Sequence, residues 1–167
     1  ASERTVESIL SVGESEAEAI TTPGGRPLSY GALRDQVAQT VEALNDAGIG
    51  RGDRVAIVLP NGPEMAVAFL GGSAVAATAP LNPAYREDEL EFYLTDLNAR
   101  AIILEAGADS PARRVAARLG ITTLDLIAEP ERGSGAFRLE RQSGSTGKAA
   151  HPGYADESDV ALLLHTS

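Results

Sequence analysis

The sequence has no cysteine and no tryptophan, one methionine, one lysine (Lys148) and only seven aromatic residues in 167. Each shortage removes a class of protein. Without cysteine there is no disulfide scaffold and no thiolate metal site. Four Tyr and three Phe are too few to suggest a platform for stacking bases. A lysine-dependent mechanism would have one candidate. No apolar run approaches the roughly 18 residues of a membrane-spanning helix. Basic charge is also short, with 14 Lys and Arg against 24 Asp and Glu, a formal net charge of −10. That balance argues against nucleic acid as a partner, because phosphate binding needs a basic face. Ala1, Ser2, Glu3 and Arg4 carry no basic-then-apolar signal, which predicts a cytoplasmic protein.

What is present is ordinary globular material. Hydrophobic residues make up 43% and charged residues 23%, and the length suits one domain with a sizeable core. Residues 5–12 read as a short helix, and 19–22 and 26–29 as two short strands around Pro23-Gly24-Gly25. Ser29 has the chemistry of an N-cap for a helix whose Leu33, Val37, Val41 and Leu44 form one stripe, with Gly48 placed to end it. The run 54–59 is continuously apolar after Arg54, the mark of a strand covered on both faces. Pro60-Asn61-Gly62-Pro63 breaks it, and a helix from about 64 to 71 or beyond presents Met65, Phe69 and Leu70.

The alternation continues with a strand at 76–81 and a helix at 87–97 that sets Leu90, Tyr93, Leu94 and Leu97 on one side. A strand at 101–104, a helix at 112–119 ended by Gly120 and a strand at 122–126 follow. Between 129 and 157 Gly, Ser, Pro and charge predict a long flexible loop. Residues 160–164 predict a last apolar strand. Strand and helix in turn give an α/β fold with a mostly parallel sheet flanked by helices, flavodoxin-like or Rossmann-like in character, over the single unit 1–167.

Several short motifs have ordinary explanations. Gly48-Ile49-Gly50-Arg51-Gly52 has Asp53 where a dinucleotide fingerprint needs its third glycine, and it leads into a strand rather than a helix. Arg51-Gly52-Asp53 and Asn82-Pro83-Ala84-Tyr85 fit turns between elements. Ser143-Gly144-Ser145-Thr146-Gly147-Lys148 has two residues between its glycines where a phosphate loop has four, and Ala149 follows the lysine. Glu87, Asp88, Glu89 and Glu91 sit where negative charge complements a helix N-terminus. There is no G-x-S-x-G elbow, and only His151 and His165 offer an imidazole base. No spacing of histidines and carboxylates marks a metal site. The strand 160–164 is different, because it runs into His165-Thr166-Ser167, and α/β sheets hold ligands at the carboxyl ends of their strands.

Four blocks carry a family likeness. Leu28-Ser29-Tyr30-Gly31-Ala32-Leu33 resembles the L-T-Y-x-E-L start of the adenylate-forming superfamily of acyl-CoA synthetases, peptide-synthetase adenylation domains and luciferases. Residues 48–61 resemble its G-V-x-x-G-D-x-V-a-i-x-x-p-N block. Ala79-Pro80-Leu81-Asn82-Pro83 with Tyr85 and Glu89-Leu90 resembles its v-P-L-N-P-x-Y-x-x-x-E-L block. Residues 160–167 resemble the strand and first residues of its phosphate loop, L-x-x-T-S-G-T-T-G-x-P-K-G. The wording of 77–82 and 91–96 is similar to that of fatty-acyl- and oxalyl-CoA ligases.

The resemblance implies an ATP-dependent, AMP-forming fatty-acid (acyl)-CoA ligase of lipid metabolism that adenylates a carboxylate and passes the acyl group to coenzyme A. ATP, Mg2+ and coenzyme A would serve the parent enzyme, and none is expected on this chain alone. Thr166 and Ser167 would open the ATP phosphate loop. The loop's glycines and lysine, the magnesium Glu, the ribose Asp and a C-terminal lysine have no counterpart here. The likeness therefore implies an amino-terminal subdomain that is inactive by itself and has no catalytic or metal-binding residue of its own. Its partner would be the remainder of its own polypeptide, or a second copy, through exposed apolar surface. A stand-alone binding or regulatory module of the same fold, or an unrelated flavodoxin-like nucleotide-binding protein, is the alternative.

Overall fold

The first helix, α1 (Val6–Leu10), starts at Thr5, whose hydroxyl accepts from the Ser8 N–H while the Ser8 hydroxyl accepts from the Thr5 N–H. The computed structural model describes residues 4–144 and 147–165. Strands β1 (Glu18–Ile20) and β2 (Leu28–Ser29) pair antiparallel around the Pro23 turn. Ser29 caps α2 (Tyr30–Asp46) by accepting from the Ala32 N–H at 3.2 Å, and the Leu33, Val37, Val41, Leu44 stripe is buried as its spacing predicts. Gly48, just beyond the helix, takes the left-handed φ of +86° that lets the chain turn away.

Five further strands form the main sheet: β3 (Arg54–Val58), β4 (Ala77–Pro80), β5 (Ala101–Glu105), β6 (Thr122–Ala128) and β7 (Phe137–Ser143), in the order β4-β3-β5-β6-β7. The first four run parallel, and β7 returns antiparallel along β6. Helices α3 (Pro63–Ser73), α4 (Glu87–Leu97) and α5 (Pro111–Leu119) make the crossovers. The sheet divides the core by strand alternation. Val55, Ile57, Ala101, Ile103, Leu124 and Leu126 pack toward α2 and α3. Ala56, Val58, Ala79, Ile102 and Leu104 pack toward α4 and α5. Both faces are covered, which is why these strands are apolar at nearly every position.

Two expectations need correction and one is refined. Helix α3 packs Met65 and Leu70, half-buried, against the core, and it buries Val67, Ala68, Gly71, Gly72 and Ser73. Small residues face inward because the helix lies very close to its neighbours. A Cβ on Gly71 would come within 2.7 Å of the Thr40 side chain, and one on Gly72 within 2.6 Å of the Thr78 methyl.

The stretch 129–157 is not one loop. It contains a 3-10 turn (Pro130–Arg132) and then β7, a seven-residue strand. Strand β7 reads as a loop because its burial fades from Phe137 outward and its charged residues meet water at the sheet edge.

Residues 160–164 do not form a regular strand. They make one parallel bridge, Leu162 with Thr78, alongside β4. Val160, Leu162 and Leu164 are 57%, 42% and 68% exposed, so the apolar run is only half covered. Periodicity reports that a segment is apolar, and only the fold decides whether neighbours exist to cover it.

Candidate functional site

From β3 the chain crosses to β4 on one side and then returns to β5 on the other. The direction of winding therefore reverses between β3 and β5, and open α/β sheets leave a crevice beyond the carboxyl ends at such a point. A cavity of about 330 Å³ lies there, lined by Leu59, Pro60 and Asn61 after β3, Glu64 of α3, Glu105 and Ala106 at the end of β5, and the last residues of β6. A larger cavity of about 520 Å³ sits at the opposite, amino edge among Asp53, Arg54, Arg100 and Thr122. Topology favours the smaller one as the ligand-facing edge.

The segment 161–165 lies on the free side of β4 and is bridged to it at Thr78, near the amino end of that strand. The Ala161 carbonyl lies 2.9 Å from the Thr78 N–H nitrogen, 2.9 Å from Thr78 Oγ1 and 3.2 Å from Ser73 Oγ. The Leu163 N–H returns a bond to the Thr78 carbonyl at 2.8 Å. Thr78 is fully buried and Ser73 nearly so, which makes this a built-in clamp rather than a surface contact. Because the bridge is parallel, the chain leaves it in the direction of the carboxyl ends of β3 to β6. His165 Nε2 lies 3.0 Å from Asp96 Oδ2 in the last turn of α4, and the ring packs on Tyr93 with centroids 4.5 Å apart. Thr166 and Ser167, the residues expected to open the phosphate loop, lie outside the described residues.

The glycine-rich turn 48–53 has a structural use. Asp53 Oδ2 accepts the Gly50 N–H at 2.8 Å, and the Arg51 N–H donates to the His151 carbonyl at 2.9 Å. A Cβ on Gly50 would fall 2.2 Å from that carbonyl oxygen, so glycine is required where the two backbones meet. Arg51 also holds Asp159 at 2.8 Å, and its guanidinium hydrogen bond keeps the Asp159 carboxyl below its ordinary range. This turn thus docks the stretch leading to residue 160. Of the Ser143 to Lys148 motif, Ser143 ends β7 and Lys148 is exposed. Asn82 closes a turn by accepting the Ala84 N–H at 2.9 Å.

The acidic cluster on α4 ties two helices together. Glu87 and Glu91 bind Arg118 of α5 at 2.9 and 3.0 Å. The hydrogen bond from Arg118 holds the Glu87 carboxyl below its ordinary range. Among the described residues no three His, Asp or Glu side chains cluster to hold a metal. Sequence reasoning missed the Thr78–Ser73 clamp and the contact between His165 and Asp96, whose side chain is 61% exposed.

Comparison with known proteins is consistent with this geometry. A probable CoA ligase of Humulus lupulus, CCL9, is 34% identical over 92% of this chain and 29% of its own length. The oxalate–CoA ligase of Arabidopsis thaliana is 33% identical over 91% of this chain and 30% of its own length. The chain thus spans less than a third of these curated relatives. Among solved structures, apo MatB from Rhodopseudomonas palustris superposes with a TM-score of 0.74 at 24% identity, covering 99% of this chain and 32% of that one. At that identity the likeness supports the fold. The family described as AMP-binding enzyme matches residues 11–167, and the chain belongs to that family.

Proposed function

We propose that this chain is the amino-terminal α/β part of an ATP-dependent, AMP-forming ligase that joins a carboxylic acid to coenzyme A. The observation that carries this reading is the family match across 11–167, together with relatives named as CoA ligases. In such a reaction a carboxylate oxygen attacks the α-phosphorus of ATP and pyrophosphate leaves. The coenzyme A sulfur, having lost its proton, then displaces AMP from the acyl adenylate. Thr166 and Ser167 would begin the loop that grips the phosphates, and the clamp on Ala161 would set where that loop starts. Mg2+ is assigned to no described residue.

The acid with the most support is oxalate, through relatives 33% and 37% identical in A. thaliana and Saccharomyces cerevisiae. A fatty acid, as the wording of 77–82 and 91–96 suggests, is the second to test. A stand-alone module or a flavodoxin-like protein gains no support from these likenesses.

ATP–pyrophosphate exchange tests the reading. A longer polypeptide carrying this chain is expected to exchange label in the presence of oxalate or another acid. The 167-residue chain alone is expected to stay at the buffer blank, because electrostatic stabilisation by the magnesium carboxylate and the lysine is missing from its sequence. Exchange by the short chain would refute that part, and no exchange by the longer one with any acid would refute the ligase.

The same reading assigns the exposed Val160, Leu162 and Leu164 to an interface with the remainder of the polypeptide. Covering such apolar surface gains about 25 cal/mol per Å², whereas charge repulsion is screened within about 8 Å. The isolated chain should therefore self-associate at micromolar concentration. Light scattering that shows one species near 17.3 kDa would rule this out.

A further inference from the structure

We infer that the outer edge of 160–164 docks one further β-strand, apolar on the face beside Leu162 and supplied by the remainder of a longer polypeptide. The inference rests on the ligase reading for the source of that strand and goes beyond it in the mode of contact. In the parallel bridge between Leu162 and Thr78, Thr78 uses both of its backbone groups. Its N–H donates to the Ala161 carbonyl, and its carbonyl accepts the Leu163 N–H. These bonds come from the residues on either side of Leu162, so the N–H and carbonyl of Leu162 itself point away from β4. Neither has a hydrogen-bond partner among the described residues. Unpaired backbone groups beside exposed apolar side chains are a template for strand pairing.

Pro80 explains why β4 holds this segment so briefly. The Leu81 N–H donates to the Ile57 carbonyl, which turns the backbone of Pro80 toward the free edge. Pro80 has no N–H to give the Leu163 carbonyl, so the ladder ends after one bridge. Side chains divide between the two faces as in a strand. Leu163 packs into the core under α4 and α5. Leu162 lies beside Thr78, whose hydroxyl meets Ser73 of α3, and on that face Leu162 stays exposed. A helix laid over Leu162 would cover its side chain and leave its N–H and carbonyl unpaired. An added strand satisfies both, which is why the occupant is a strand. The relatives named above have more than two thirds of their length outside the matched stretch, enough to provide one.

Amide hydrogen exchange, resolved to single residues by mass spectrometry, tests the inference. The 167-residue chain, diluted until it is monomeric, is compared with a longer polypeptide carrying it. The Leu163 amide, bonded to Thr78, should be protected in both. The Leu162 amide should exchange as an open chain in the short form and about a hundredfold more slowly in the longer one. Leu162→Pro removes the outward N–H and spares both bonds to Thr78. In the longer polypeptide it should speed exchange at Leu164 about tenfold while the Thr78 amide stays protected. Fast exchange at Leu162 in both forms, or equal protection in both, would overturn the inference. Protection that grows with the concentration of the short chain and is no greater in the longer one would also overturn it, because the occupant would then be a second copy. A longer polypeptide that protects Leu162 but exchanges pyrophosphate with no acid would overturn the ligase reading and leave the docking edge standing.

Discussion

Asp125→Ala is expected to lower stability by about 3 kcal/mol, the low end for removing one partner of a buried ion pair. On β6, Leu124 and Leu126 face α2, which turns Asp125 toward α5. Asp125 is 8% exposed, and its Oδ1 lies 2.8 Å from Arg113 Nη1, a close charge contact that lacks hydrogen-bond alignment. Arg113 also donates to the Ala108 carbonyl at 2.9 Å and to the Glu105 carbonyl at 2.9 Å, so one side chain holds β6, the end of β5 and the loop into α5. Truncating Asp125 leaves the guanidinium short of its counter-charge in a partly dry site. Arg113 is 28% exposed and keeps some contact with water, which is why the low end applies. Urea denaturation should show a lower midpoint with unchanged slope, and the melting temperature should fall by roughly 6–12 °C. Replacing both partners, Asp125→Leu with Arg113→Met, should recover most of the loss. A single Asp125→Ala variant within about 1 kcal/mol of the parent would show that the pair contributes little.

Gln36→Ala should cost about 2–3 kcal/mol. Gln36 sits on the apolar stripe of α2 at 1% exposure, where a polar side chain needs a reason. Its Oε1 accepts the Phe137 N–H at 3.1 Å, and its Nε2 donates to Thr40 Oγ1 at 3.3 Å. In the β6–β7 ladder the Glu129 N–H bonds the Ala136 carbonyl, so hydrogen bonds fall on alternate pairs and the Phe137 N–H points away from β6. With no strand beyond β7 among the described residues, α2 supplies the acceptor through Gln36. Removing it leaves a buried donor unpaired, a penalty of about 1–3 kcal/mol, and opens a small cavity. Gln36→Met keeps the volume and loses the acceptor, so it should retain most of the cost. Thermal and urea unfolding of the two variants separate the terms. If Met restores parent stability, the hydrogen bond is not what Gln36 contributes.

The strands that could be read from sequence were those whose neighbours are other parts of the core. Residues 54–58 and 101–105 are apolar on successive positions because helices cover both faces, and that requirement is written into every residue. The α2 stripe and its Ser29 cap were legible for the same reason, since local hydrogen bonding and 3.6-residue periodicity act within one element. The turns at Gly48 and Gly120 were legible too, because a left-handed backbone selects glycine locally.

What the sequence determined by itself was the alternation of elements, the two-sided burial of the parallel strands and, through four motif blocks, the family. Only the tertiary structure decided the rest. Strand β7 exists because β6 offers it an edge, not because its own residues alternate. The apolar run at 160–164 makes a single bridge because β4 meets it at one residue. Gln36, Ser73, Thr78, Asp96 and Asp125 look like ordinary polar positions until their partners arrive from 5 to 101 residues away. Hydrophobic periodicity is a local property of a chain, whereas a buried hydrogen bond or ion pair needs two residues that only folding brings together.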